Sequence, residues 1–212
     1  MKKIVTLLSA AMMLLAGTSA FAQMSIGAGY VNSVDYAKLG KDQSAKSTGG
    51  SGFYAGISYT APLAAGFSFT PGVYYEFLTA ETVAGDSFLA VGGRETEHYI
   101  NVPLTFGYGF DLSRDLRFIA FAGPTVNVGL ASSTKVSAAV AGITLDGGVY
   151  NNYDNENYGR FDIMLGGGIG LEFRNDLRLT VGYDFGMLNR YTGSGDYSQH
   201  RNRLTAGIAY IF

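Results

Sequence analysis

The chain has 212 residues, of which 47 % are hydrophobic, 14 % aromatic and only 15 % charged. That excludes a disordered chain and lies well below the roughly 25 % charge of a soluble globular domain. The absence of cysteine excludes disulfides, lipidated cysteine and cysteine-held metal, and a formal charge of −2 leaves no electrostatic footprint for nucleic acid.

The first element is a leader. Lys2 and Lys3 precede the apolar run 4–16, and the small-residue stretch "GTSAFAQ" follows. A basic start, a short apolar stretch and an Ala-x-Ala site (Ala20, Ala22) predict a signal peptide over 1–22, cut before Gln23. The run is too short for a membrane helix, which needs about 20 residues. Processing removes two of the 15 basic residues, leaving 13 against 17 acidic ones, a net of −4. Residues 23–212 are then read as one domain.

Beyond the leader, apolar residues alternate instead of recurring at helical spacing. Eight segments carry the pattern: 24–32, 52–60, 67–78, 98–108, 116–130, 160–173, 177–189 and 201–212. In "FSFTPGVYYEF" one face holds Phe67, Phe69, Pro71, Val73, Tyr75 and Phe77. The other holds Ser68, Thr70, Gly72, Tyr74 and Glu76. In the strand cores, ionisable residues keep to the second face: Glu76, Arg117, Arg160, Asp162, Glu172, Arg178, Asp184 and Arg203. A β-sandwich would put Lys, Glu and Thr on that face. Here it is Gly, Ser and Thr with a few Arg and carboxylates and no Lys, a composition for a narrow interior behind a lipid-facing wall. Segments of about 9–11 residues suffice to cross a bilayer as tilted strands.

The connections alternate: long at 33–51, 79–97, 131–159 and 190–200, short at 61–66, 109–115 and 174–176. Four long and three short connections fit an all-β fold, an eight-stranded antiparallel up-and-down transmembrane β-barrel with both termini on the short-turn, periplasmic side. Closure removes the sheet edges that a membrane does not tolerate. Aromatic girdles are expected from Tyr59, Phe67, Tyr108, Phe110, Phe173, Tyr210 and Phe212 at one rim. Tyr30, Tyr75, Phe77, Tyr99 and Phe161 would form the other. Glu172 and Arg178 flank the turn "RND" at equal distances and should face each other, with Arg117 approaching Glu172 from the next strand. The eight inward charges, four acids and four arginines, are expected to neutralise one another and fill the lumen, because unpaired buried charge is costly. The 131–159 connection should raise a hairpin that turns near Gly142, with Tyr150, Tyr153 and Tyr158 as contacts for a protein partner.

The terminal "LTAGIAYIF", with "FTPGVYYEF", "YINVPLTFGYGF", "FIAFAGPTVNVG" and "FDIMLGGGIGLEF", resembles the small eight-stranded outer-membrane barrels of the OmpX, OmpA-transmembrane and PorT-like kind. The resemblance covers the whole mature chain. It implies the outer membrane of a Gram-negative bacterium, contact with lipid and lipopolysaccharide, and no cofactor. It also implies that Leu204, Ala206, Ile208, Tyr210 and Phe212 form the signal read by the barrel-assembly machinery. Two related enzyme types act on lipid A. A deacylase would want His-x-Ser, and neither His98 nor His200 has Ser two residues on. A palmitoyltransferase would want an amphipathic N-terminal helix, a His in the first loop and Asp-Ser in the second. Of these only Asp86-Ser87 is present, and a loop Asp-Ser is common turn chemistry. No enzyme and no metal site is therefore expected. The expected role is structural or surface-interacting through the long loops. A narrow pore comes second and a lipid-modifying enzyme third.

Overall fold

An alternating sequence has one economical use for its backbone: strands that pair on both sides, so that no N–H or C=O is left for the lipid to meet. The computed structural model describes residues 23–39, 43–46, 49–85, 89–140, 143–154, 158–193 and 195–212. Ten strands result: β1 Gln23–Leu39, β2 Gln43–Lys46, β3 Ser51–Pro62, β4 Phe67–Gly85, β5 Leu89–Ser113, β6 Leu116–Val140, β7 Ile143–Asn151, β8 Phe161–Phe173, β9 Leu177–Gly186 and β10 Tyr197–Ile211. A 3-10 turn, Asn152–Asp154, follows β7.

Eight of these close a ring in the order β1, β3, β4, β5, β6, β8, β9, β10, every neighbour antiparallel. The ring is sealed by β10 on β1, in register from Ser25↔Ile211 to Leu39↔Tyr197. This is the eight-stranded antiparallel barrel that the alternation predicts. The leader (Ala20, Ala22), Asp86-Ser87 and Gly142 lie outside the described residues.

The strands outrun the expected segments. β4 continues to Gly85 and β5 starts at Leu89, so the 79–97 connection is mostly a two-stranded ladder. β6 runs to Val140, β7 pairs among the described residues with β6 alone, and β2 lies against the top of β1. A four-stranded sheet, β4-β5-β6-β7, therefore stands beyond the barrel at the long-loop end. Its Thr, Ser and Gly content hides the alternation, because a strand in water has no face that must be apolar. Its outward side carries a charged row, Glu81 with Arg94 and Lys135 with Asp146 (3.0 Å).

The outer wall is apolar. Phe106 is 58 % exposed, Ile26 56 % and Phe185 54 %, so these side chains serve a lipid phase and not a core. Aromatic pairs mark both ends of the wall: Phe67–Tyr108 at 5.0 Å and Phe110–Phe118 at 5.2 Å near the short turns, Phe53–Phe77 at 5.3 Å toward the long loops. Tyr99 is a correction to the expected girdle. His98 takes the outward place opposite Phe77, so the pleat turns Tyr99 inward opposite Glu76, where it is fully buried. There it packs with Val31, Leu78 and Tyr54 in the small apolar cluster inside the ring. Tyr54 also needs glycine across from it: a Cβ on Gly207 would overlap its hydroxyl.

Candidate functional site

Inward side chains stack in layers from the short turns to the long loops. Nearest the short turns, Arg178 donates to Glu172 Oε2 through Nε and Nη2 at 3.0 and 2.8 Å. Arg117 is in register with Glu172, but its guanidinium reaches the Gly109 carbonyl (3.4 Å) and lies 4.0 Å from Asp111. Arg117 belongs to this end, yet the ion pair it makes is with Asp111.

In the middle of the ring, Arg203 bridges Glu76 (2.8 Å) and Asp184 (2.6 Å). Asn101 donates to Glu76 at 2.9 Å and Asn127 to Asn101 at 2.7 Å, so the layer extends across to β6. Asp162 is buried and accepts from the Leu188 amide at 3.1 Å. Its second oxygen has no hydrogen-bond partner among the described residues.

Above this lies the layer that the sequence did not disclose. Arg201 forks onto Asp35 at 2.6 and 2.7 Å, and its Nη1 reaches Glu97 (2.8 Å) and the Tyr99 hydroxyl (2.7 Å). Arg190 comes down from the β9–β10 connection and donates to the same hydroxyl at 2.8 Å. Both guanidiniums lie over the Tyr99 ring, and Arg190 also lies over Tyr158, 4.7 Å from its centroid. Tyr99 in turn donates to Glu97 at 2.5 Å, and Tyr158 donates to the same Glu97 oxygen at 2.9 Å. Two arginines and two carboxylates thus neutralise each other, every one of them under 7 % exposed.

The mouth is held from loop three. Asn152 donates to Glu95 (3.0 Å) and to Ser132 (2.8 Å), while Thr134 donates to Asn152 (3.0 Å). Burial and the neighbouring Glu97 push the Glu95 carboxyl up to about 7. The β7–β8 and β9–β10 connections are tied to each other as well: the Gly159 amide donates to the Arg190 carbonyl at 2.7 Å and Tyr158 bridges to Tyr191.

A family model described as an outer membrane protein beta-barrel domain matches residues 19–190. The chain belongs to that family. It is accordingly an outer-membrane β-barrel protein of a Gram-negative bacterium, set among outer-membrane lipid and lipopolysaccharide. Comparison with curated proteins gives no match. Among solved structures it is similar to Ail, the attachment invasion locus protein of Yersinia pestis, at 15 % identity over 90 % of this chain and 99 % of that one, TM-score 0.33. OprG from Pseudomonas aeruginosa follows at 13 % identity over 90 % and 96 %, TM-score 0.42. The outer membrane enzyme PagL follows at 12 % identity over 84 % and 97 %, TM-score 0.46.

Within this outer-membrane barrel, six of the sequence-derived charges, Glu76, Asp162, Glu172, Arg178, Asp184 and Arg203, point into the lumen, and Arg117 lines its short-turn end. Arg160 does not. It sits one residue before β8, where the pleat no longer aims side chains, and it lies exposed over the Tyr153 ring (4.2 Å), donating to the Leu130 carbonyl. Of the loop tyrosines, Tyr150 is exposed, Tyr153 packs under Arg160, and Tyr158 turns inward to Glu97. Tyr158 is a lumen residue and not a surface contact. Leu204, Ala206, Ile208, Tyr210 and Phe212 all face outward, and Gln23 opens β1. The missed residues Asp35, Glu97 and Arg201 keep the inward parity of β1, β5 and β10; counting by twos finds Arg201 within 201–212 and the other two just past their segments. Arg190, on a loop, has no such signal.

Proposed function

We propose that this protein is a closed outer-membrane barrel whose work is done at the long-loop end, as a surface-interacting or structural protein rather than a pore or an enzyme. The observation that carries the reading is the neutralised plug, Asp35–Arg201–Glu97–Arg190 around Tyr99. A pore needs mobile water along its axis. Breaking buried pairs like these costs several kcal/mol, which keeps the axis shut.

The termini are assigned to the periplasm and the long loops to the cell surface, because short turns are the periplasmic habit of such barrels. The surface contact is assigned to 131–159. Among the described residues β7 pairs on one side only, and Leu145, Val149 and Tyr150 beside its open edge are 57, 67 and 58 % exposed. An edge of this kind adds a strand from a partner protein through main-chain bonds. His98 has its Nδ1 2.5 Å from the Tyr75 hydroxyl, an aromatic rim contact, and is assigned no catalysis.

Planar bilayers test the closed lumen. The folded protein should pass no current, and replacing both Arg190 and Arg201 by alanine should produce channels. Steady conductance from the unaltered protein would turn the reading into a pore. Lipid A mass spectra from cells with and without the gene should be identical; a lost or gained acyl chain would establish an enzyme.

A further inference from the structure

Between the Glu172–Arg178 pair and the Glu76–Arg203–Asp184 layer the lumen is not filled. A cavity of about 180 Å³ remains, room for roughly six waters at about 30 Å³ each. Five strands turn hydroxyls into it: Ser68 and Thr70 from β4, with Thr105, Thr125, Thr180 and Thr205. Tyr54, Tyr74 and Phe121 supply ring surface beside them. The charged groups on its wall are already committed, Arg178 to Glu172 and Arg203 to Glu76 and Asp184.

We infer that this cavity is a blind binding site for small uncharged polyhydroxylated solutes, of the size of glycerol to a pentose. Thr70, Thr105 and Thr205 already donate to Thr60, the Thr70 carbonyl and the Gly182 carbonyl, and offer a ligand hydroxyl their lone pairs, while Ser68 and Thr125 can donate or accept. The rings and Ile119 meet the C–H faces of the same molecule. An ion gains nothing comparable. It would shed its hydration for a wall whose counter-charges are taken, and desolvating an ion without a partner is prohibitive. The glycines Gly27, Gly107, Gly170 and Gly182 keep the cavity open by leaving out side chains at four lining positions. The plug above ends the path, so the site binds and does not conduct. Its hydroxyl lining does not depend on the surface role: current through the barrel would sink the closed-lumen reading and with it the blind upper end, and leave solute binding to its own test.

The test is an amide NMR titration of the folded protein in phosphocholine micelles, which carry no sugar headgroup, with glycerol and D-ribose as probes. Saturable shifts should appear at the Gly27, Gly107, Gly170 and Gly182 amides and not at the outer wall, while inorganic phosphate moves none of them. Gly182→Leu, checked for a retained heat-dependent gel shift, should abolish the response. Thr125→Val keeps the shape, removes one hydroxyl and should weaken binding about fivefold, the worth of one hydrogen bond. Shifts that stay linear with concentration would mean a cavity holding water only and would overturn the site. A response that survives Gly182→Leu, or that phosphate reproduces, would overturn it too.

Discussion

Arg201 shows what a single residue is asked to do inside this barrel. It is 2 % exposed and satisfies Asp35 and Glu97 together. Arg201→Met keeps most of the volume but strands two carboxylates, and should destabilise by about 3–5 kcal/mol, read from urea unfolding in detergent. Glu172→Gln should cost less, since the Arg178 it releases is 13 % exposed at the short-turn end; a loss as large as that of Arg201→Met would mean the lower lumen is as dry as the upper. Glu95 works in the opposite sense. Its carboxyl is raised from 4.5 to about 7, chiefly by burial, so the folded state holds a proton that the unfolded chain releases. Its stabilising contribution is complete below pH 4.5 and lost as pH rises through 7. Glu95→Gln should remove that decline, leaving the variant more stable than the parent at pH 8. An unchanged pH profile would show that Glu95 titrates as it does in water.

Among the elements, β6 and β10 make the clearest contrast. β6 serves the ring up to Val128, where it pairs with Phe161 of β8, and beyond that it serves the protruding sheet. Replacing 134–156 by a short Gly-Ser turn should therefore spare the barrel's gel shift while abolishing partner binding. Full-strength binding by the trimmed protein would move the contact to another loop. β10 closes the ring down to Phe212, whose main chain exchanges two hydrogen bonds with Met24 while its side chain is 66 % exposed. Deleting Phe212 should lower outer-membrane levels strongly in cells, through the assembly machinery, yet leave refolding in detergent nearly unchanged. Equal loss in both assays would make the residue structural.

For the whole molecule, the decisive feature is closure. β1 and β10 pair over fifteen registered positions although they lie at opposite ends of the chain, so no part of the ring is complete until all of it is. The folded protein should fractionate with the outer membrane and run faster unboiled than boiled on SDS gels. Removal of 197–212 should abolish the folded band entirely, because two unpaired edges would then face lipid. A partly folded seven-stranded species with its own band would contradict that.

The number of strands in the ring, the outward set and the fold class were legible because lipid enforces a local rule: every second residue in each crossing must be apolar, from Phe67 to Phe77 and from Leu177 to Phe185 alike. The lower charges were legible for the same reason, as the only exceptions on the other parity. Once β4, β5 and β6 leave the membrane, that rule lapses, and so the protruding ladder at 79–97 read as loop. Which charges meet is a different matter. Glu76 and Arg203 are 127 residues apart, and their contact exists only through the registers that sum around a closed ring. Tyr99 turned inward because His98 claimed the rim, and Arg190 reached the lumen from a loop with no periodicity to announce it. Alternation along one strand determined what faces lipid; only closure of the ring, which sets the height and angle of every inward side chain, decided what the lumen holds.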